Sequence, residues 1–347
     1  MSPATKPTTT TLESLAAEVR PVVERDLGRR LDASVLRARR QSADAEAVVD
    51  ALRSLALRGG KRIRAVLVCA GSAAFGGDWH AAVPAASGVE ILHAYLLAHD
   101  DWMDGDETRR GGPAVHAALR DRFGSEREGA IGAVLAGDLG AGMALEAVSA
   151  VELAPERVLG AVRELAAAHQ DVVLGQIVDV RRGVSDRAGV EAMHSLKTGS
   201  YTVRGPLRIG ARLAGVSKAD LEAIDAFAMP LGVAFQHQDD LLGVFGDPSV
   251  TGKPRGRDLR EGKRTALVLE GLGDRAAAPL LQRVLGVEDA PDSEVEALIG
   301  KLAVLRPSVE KRIDELLGQA RDAAALFGEP ARALLLGAVD ALAGRVT

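Results

Sequence analysis

Apolar residues recur every three to four positions through most of this chain, the spacing that gives a helix one buried stripe and leaves its other face to solvent. The pattern predicts helix over 12–57, stopped by Gly59 and Gly60, and over 62–75, stopped by Gly76, Gly77 and Asp78. A third helix is predicted over 81–103. After a loop at 106–113 the same spacing returns at 117–119, 129–151, 155–182 and 190–213, and again over 218–242. A Gly/Pro-rich stretch at 244–256 interrupts it and is long enough for a mobile lid. The remainder, to Thr347, reads as amphipathic helix broken near 289–292. Runs of β-branched residues are short, so few strands are expected. The expected architecture is all-α, a single helical bundle over 12–347 around a central cavity, preceded by a disordered Thr/Pro-rich tail at 1–11.

Composition agrees and removes some functions. Hydrophobic residues make up 47% of the 347 and charged ones 26%, enough to build an extensive helical core. The formal charge of −5 argues against a general polyanion binder, and so against nucleic acid as a partner. The single cysteine, Cys69, lies in an apolar run, cannot form an intramolecular disulfide, and reads as buried, inert and suited to a reducing cytoplasm. The tail lacks the apolar segment of a signal peptide, and no window approaches the roughly 18 uncharged residues expected of a transmembrane helix. Any membrane contact is therefore expected to be peripheral.

Two acidic clusters break the apolar pattern. Asp100, Asp101 and Asp104 close the third predicted helix, and Asp239 and Asp240, with Gln236 one turn earlier, lie near the end of the helix at 218–242. Asp100 and Asp104 project from one face, where like charges repel unless cations lie between them. A helix C-terminus is the negative end of the dipole, so helix stability does not explain carboxylates there. Hard oxygen donors of this kind suit Mg²⁺ bridged to phosphate, and two such clusters facing each other would hold two or three ions around one diphosphate. The plainer reading is a pair of solvated acidic faces. Against it stand Leu96 and Leu97 beside the first cluster and Leu231, Val233 and Phe235 beside the second, which place the carboxylates at the rim of an apolar face.

Each cluster is followed by cations. Gly59 and Gly60 lead into Lys61, Arg62 and Arg64 at a helix start, an unfavourable place for positive charge unless an anion binds there. Arg109 and Arg110 would take one phosphate group each; the alternative is pairing with Asp106 and Glu107. Lys253 and Lys263 lie in and just beyond the lid stretch, whose closure would add charge and expel water. Lys197 and Thr198 precede Gly199 at a kink-prone point of a helical run, offering an ammonium, a hydroxyl and a loosened carbonyl.

In chain order these residues make up GGKRxR, DDxxD followed by Arg109, Arg110 and His116, GQxxD (Gly175, Gln176, Asp179), Lys197-Thr198, FQxxDD at 235–240 and GKPxGxDLxEGKxT at 252–265. The ordered set covers roughly 55–270 and resembles the trans-isoprenyl diphosphate synthase (polyprenyl synthetase) family, most closely its short-chain geranylgeranyl and farnesyl members. The resemblance implies an all-α bundle, normally a homodimer, that joins an allylic diphosphate to isopentenyl diphosphate. It implies Mg²⁺ on Asp100, Asp104 and Asp239, with Asp101 and Asp240 in support. The allylic diphosphate would meet Arg109, Lys197, Thr198, Gln236, Lys253 and Lys263. Isopentenyl diphosphate would meet Gly60, Lys61, Arg64, His93 and Arg110. By the same resemblance Tyr95, five residues before Asp100, would form the floor of the product cavity, with Leu96 beside it, a pattern closer to C20 than to C15 synthases.

Two positions depart from the fullest family pattern. Gly243 stands where a third Asp would close the second cluster, and the end of the chain lacks the basic tail of some members. A class I terpene cyclase would share the bundle and the DDxxD, but it needs an aromatic-lined pocket for cations, and aromatics are 3% here. A noncatalytic subunit of a heteromeric synthase would not need both acidic clusters and both lysines.

Overall fold

A computed structural model describes residues 11–247 and 255–344. The rest of the expected tail, residues 248–254 of the expected lid with Lys253, and Arg345, Val346 and Thr347 lie outside the described residues. Among the described residues the only strands are Thr108–Arg109 (β1) and Gly112–Pro113 (β2), a two-stranded antiparallel ladder. The chain forms two compact units.

The first unit comprises the chain up to Leu165, Pro206–Leu221 and Ala324–Ala338. Its first helix, α1 (Leu12–Arg39), starts at a capping box, in which Thr11 Oγ1 accepts from the Ser14 amide at 3.1 Å and Ser14 Oγ accepts from the Thr11 amide. Leu12, Leu15, Val19, Val23, Leu27 and Leu31 form its buried stripe. The helix expected over 12–57 is two: α2 (Ala43–Leu57) restarts at Ser42, whose hydroxyl accepts from the Ala45 amide at 3.0 Å. Helices α3 (Ile63–Ala74), α4 (Val83–Met103), α5 (Val115–Phe123) and α6 (Glu126–Ser149) follow, then α7 (Pro155–Val180), which leaves this unit after Leu165, and α9 (Gly205–Ala214). Close packing of α4 on α6 depends on glycine: a Cβ at Gly88 would lie 2.8 Å from the Ala144 carbonyl oxygen. Cys69 is fully buried in α3, and burial pushes its thiol up to about 12, as its apolar setting predicts.

Among the described residues one helix, α6, is long and apolar enough to cross a membrane by length and composition, although Asp138 and Glu146 keep it from offering an uncharged window of that length. Its small residues Gly132, Ala133, Ala136 and Ala144 are buried within the unit, whereas Ile131, Val134, Leu135, Leu139 and Leu145 form an exposed apolar stripe.

The second unit comprises Ala166–Gly205, Glu222–Ala323 and the chain from Val339. Here α8 (Arg187–His194) runs directly into a π-helical segment, Ser195–Arg204, at the point where the sequence reads as kink-prone. Then come α10 (Lys218–Phe245, begun in the first unit), α11 (Arg257–Glu261), α12 (Ala266–Gly273), α13 (Ala278–Val284), α14 (Asp292–Leu302) and α15 (Arg306–Ala325, whose last two residues belong to the first unit), whereas α16 (Ala331–Ala343) belongs to the first unit as far as Ala338. Val244 and Phe245, expected in the lid, are helical. The π segment is gripped by α7 and α10 through backbone contacts: a Cβ at Gly175 would lie 2.7 Å from Lys197 Cα, and one at Gly232 would run into Gly199. Wider π turns of this kind recur at functional sites.

Candidate active site

The first acidic cluster divides its carboxylates between interior and rim. Asp101 is fully buried at the end of α4, where Arg109, brought back by the β1–β2 turn, donates Nε to Asp101 Oδ1 at 2.7 Å and Nη2 to the same oxygen. The same guanidinium holds the buried Asp106 at 3.1 Å. Burial above all, with the charges of Asp100 and Asp106, raises the Asp101 carboxyl despite Arg109. Its Oδ2 is buried with no hydrogen-bond partner among the described residues. Asp100 and Asp104 are only half-buried. Arg109 makes the pair with Asp106 that the plainer reading expects, whereas Glu107 pairs with Arg120 at 2.8 Å.

The cations behind this cluster sort in the same way. Arg62, read as one of three charges presented to an anion, turns inward: it donates to Glu24 at 2.6 Å, to Glu90 at 3.2 Å and to the Ala56 carbonyl at 2.8 Å. It is the buried brace of the α3 start, and its φ of 49° bends the chain there. Lys61 is exposed and Arg64 half-buried. Arg110, also at positive φ, donates Nη1 to the Gly59 carbonyl at 3.0 Å and Nη2 to His93 Nε2 at 3.3 Å. Gly60, at φ 122°, leaves room for that guanidinium 3.5 Å from where a Cβ would stand. Burial first, then Arg64, Arg110, Arg109 and Arg62, hold His93 well below its usual range, so it faces the arginines as a neutral acceptor. Gly60, Arg64, His93 and Arg110 thus lie close together. Tyr95 is buried against α6, its Cβ 2.9 Å from where a Cβ at Gly140 would stand and its ring edge-on to His99 at 4.9 Å; Leu96 is half-buried.

The second cluster repeats the division with different partners. Asp240 is buried; Gln236 Nε2 donates to its Oδ1 at 3.0 Å, and His194 Nε2 lies 3.2 Å from its Oδ2, within ion-pair distance though not aligned as a hydrogen bond. Burial opposes its ionisation, but His194, Gln236 and His237 outweigh burial and hold the carboxyl below its usual value. Gln236 Oε1 in turn accepts from Thr198 Oγ1 at 2.5 Å, and Lys197 Nζ reaches Asp179 at 2.5 Å. Thr198, Gln236 and Asp240 are therefore one connected set, seated on the π segment and α10, while Lys197 pairs with Asp179 on α7. Asp239, beside it, is exposed.

Donors of His194, His237 and Asp240 all lie within 4.8 Å of one another. Two imidazoles suit a borderline metal better than Mg²⁺, and burial leads the effects that bring His237 down to about 4, leaving it neutral. Carboxylates at the rim, Asp100, Asp104 and Asp239, with a buried unpartnered oxygen on Asp101, are the donors that fit a hard cation.

Beyond the second cluster, α11 brings Asp258 back against α10: a Cβ at Gly243 would lie 2.5 Å from Asp258 Cγ. Lys263 Nζ lies 3.2 Å from Asp258 Oδ1 and 2.9 Å from Glu261. Burial, then the charges of Asp240, Glu261 and Asp239 against that of Lys263, push the Asp258 carboxyl up to about 6.

The bracing residues escape a reading of the sequence by motif. Glu24 and Glu90 lie 38 and 28 positions from Arg62, and only the placing of an acid inside the apolar run of α4 marks Glu90. His194, three before Lys197, and Asp258, inside GxDL, sat beside motif residues without a role.

Comparison with known proteins agrees with this geometry. The family model described as Polyprenyl synthetase matches residues 45–302. A short chain isoprenyl diphosphate synthase of Methanocaldococcus jannaschii is 34% identical over 265 residues, 75% of this chain and 77% of its own. A (2E,6E)-farnesyl diphosphate synthase of Mycobacterium bovis is 35% identical over 248 residues, 69% of this chain and 66% of its own. The crystal structure of geranylgeranyl pyrophosphate synthase from Corynebacterium glutamicum, complexed with isoprenyl diphosphate and magnesium, superposes with a TM-score of 0.88 at 29% identity, covering 97% of this chain and 100% of that one. An ordered motif set, an all-α fold and a family match over most of its length lead to one conclusion: the chain belongs to the polyprenyl synthetase family.

Proposed function

We propose that this protein is a prenyltransferase that condenses an allylic diphosphate with isopentenyl diphosphate, head to tail, into a short-chain all-trans prenyl diphosphate, geranylgeranyl diphosphate being the favoured product. The observation that carries this reading is the repeated split of each acidic pair. One aspartate, Asp101 or Asp240, is buried and braced, and its neighbour, Asp100 or Asp239, stays more exposed.

In this reading Asp100, Asp104 and Asp239 hold Mg²⁺, two or three ions in all, which would neutralise charge on the leaving diphosphate. Asp101 and Asp240 support those carboxylates, and Arg109, seated on Asp101 and Asp106, also meets the allylic diphosphate. Lys197, Thr198, Gln236, Lys253 and Lys263 bind the allylic diphosphate as its C–O bond breaks and the bonding electrons leave with the diphosphate, so that positive charge lies where negative charge develops. The Lys197 carbonyl and the Thr198 and Gln236 oxygens would stabilise the allylic cation. Lys61, Arg64, His93 and Arg110 hold isopentenyl diphosphate so that its double bond attacks that cation and forms the new C–C bond. The adduct then loses a proton to the released diphosphate, and no protein nucleophile is required.

The exposed stripe Ile131, Val134, Leu135, Leu139 and Leu145 on α6 supports a homodimer, since a contiguous apolar face of this kind marks an association surface. A single buried thiol, Cys69, agrees with a cytoplasmic location. The direct test is incubation with Mg²⁺, isopentenyl diphosphate and each allylic primer, followed by sizing of the products. A linear C20 diphosphate is expected, a C15 end product would revise the chain length, and a cyclic hydrocarbon or no turnover would overturn the reading. Tyr95→Ala is expected to lengthen the product; unchanged length would remove Tyr95 from the cavity floor.

A further inference from the structure

Gly243 interrupts the second cluster at the position where a third aspartate would complete it, and on sequence alone the cluster is one carboxylate short. The fold fills that place from elsewhere. Asp258 stands in the first turn of α11, between Gly256 at φ 70° and Gly262 at φ 76°, with Leu259 fully buried as the anchor of the turn. Its carboxylate lies where a side chain of residue 243 would begin, 2.5 Å from an added Cβ to Cγ and 3.1 Å to Oδ1. A side chain at 243 would displace the Asp258 carboxylate from that position, so the glycine and the placement of the aspartate go together. The Asp258 side chain is 14% exposed and shares Lys263 with Glu261, which balances its charge.

We propose that Asp258 supplies the third carboxylate of the second metal-binding cluster, with Asp239 and Asp240, and that Gly243 is the vacancy that admits it. The inference rests on the reading of Asp239 as a metal ligand. It also ties Lys263, 3.2 Å from Asp258 just beyond the end of α11, to the same carboxylate, so that a carboxylate of the cluster and a cation for the diphosphate are held together.

The test reads metal binding rather than turnover. Free Mn²⁺ is followed by electron paramagnetic resonance while the full chain is titrated in the presence of inorganic diphosphate, for wild type, Asp239→Asn, Asp258→Asn and the double swap Gly243→Asp/Asp258→Gly, each checked for folding by circular dichroism. Asp258→Asn is expected to weaken, by about 10-fold or more, the class of sites that Asp239→Asn removes, as loss of a supporting carboxylate does at other metal sites. The double swap is expected to restore it, since the carboxylate returns from residue 243. If Asp239→Asn weakens Mn²⁺ and Asp258→Asn does not, this inference falls and the functional reading stands. If Asp239→Asn itself leaves Mn²⁺ binding unchanged, the functional reading of the cluster falls first. A folded double swap that binds Mn²⁺ no better than Asp258→Asn also overturns the inference, because the carboxylate would then not be exchangeable between the two positions.

Discussion

The two acidic clusters solve one problem with different chemistry. In the first, the buried Asp101 is held by a permanent cation, Arg109, yet its carboxyl is raised, because burial and two neighbouring acids outweigh one arginine. In the second, the buried Asp240 is held by an amide and an imidazole, and its carboxyl is lowered. The first aspartate is thus locked in place by a charge that cannot leave, at a high electrostatic cost. The second belongs to a hydrogen-bonded chain that runs through Gln236 to Thr198 and ties it to the π segment. Breaking the first should unfold its surroundings, whereas breaking the second should loosen a connected set of site residues.

The largest effect is therefore expected at Arg109. Arg109→Ala strands the buried Asp101 without its ion-pair partner, and removing one member of a buried ion pair costs about 3–5 kcal/mol, readable as a lower urea midpoint. The matching change in the second cluster, Gln236→Ala, leaves one buried oxygen unsatisfied and should cost about 1–3 kcal/mol. Equal losses would erase the distinction between the clusters. Next comes Gly243→Ala, whose new Cβ collides with the Asp258 carboxylate; overpacking of this kind costs about 1–3 kcal/mol, and an unchanged melting temperature would show that Asp258 moves aside freely.

How much of this was legible in the sequence depends on distance along the chain. Helix spans followed from apolar spacing, and the loosened run at Lys197-Thr198-Gly199 is the observed π segment. The break between α1 and α2 was missed because no glycine or proline marks it; the signal was Ser42, an N-cap inside an apparently continuous helical pattern. In α6 alanine and glycine serve close packing on α4 while its leucines face outward, a division that its apolar composition alone does not reveal. The rim carboxylates and most cations were legible because their spacing is local. Their supports were not: Arg62 meets Glu24 and Glu90, and Gly243 meets Asp258, only through tertiary packing, so a cation read as available was buried and a position read as empty was filled.

Smaller effects sharpen the comparison. His194→Ala removes the imidazole beside Asp240 and should lower kcat by about 10-fold with little change in the isopentenyl diphosphate KM, whereas His194→Gln, which keeps a donor, should recover part of the loss. A KM change alone would place His194 elsewhere in the mechanism. The smallest effect is a slope. His93 is held neutral below its ordinary value of 6.5, so the unfolded chain binds more protons there, and stability present above about pH 6.5 is lost as pH falls toward the folded value. Melting temperature should decline less steeply between pH 6.5 and 5 in His93→Asn than in wild type, and parallel curves would mean that other groups set the slope.

The central claim is that in each pair the rim aspartate works on the substrate and the buried one holds the site together. Asp239→Asn and Asp240→Asn, compared side by side for prenyl transfer with Mg²⁺ and for urea midpoint, test it most directly. Asp239→Asn should lose about 100-fold or more in rate while its midpoint stays at the wild-type value, since an exposed substitution costs no more than about 0.5 kcal/mol. Asp240→Asn should lose both rate and stability. An Asp239→Asn protein that turns over at the wild-type rate would contradict the account.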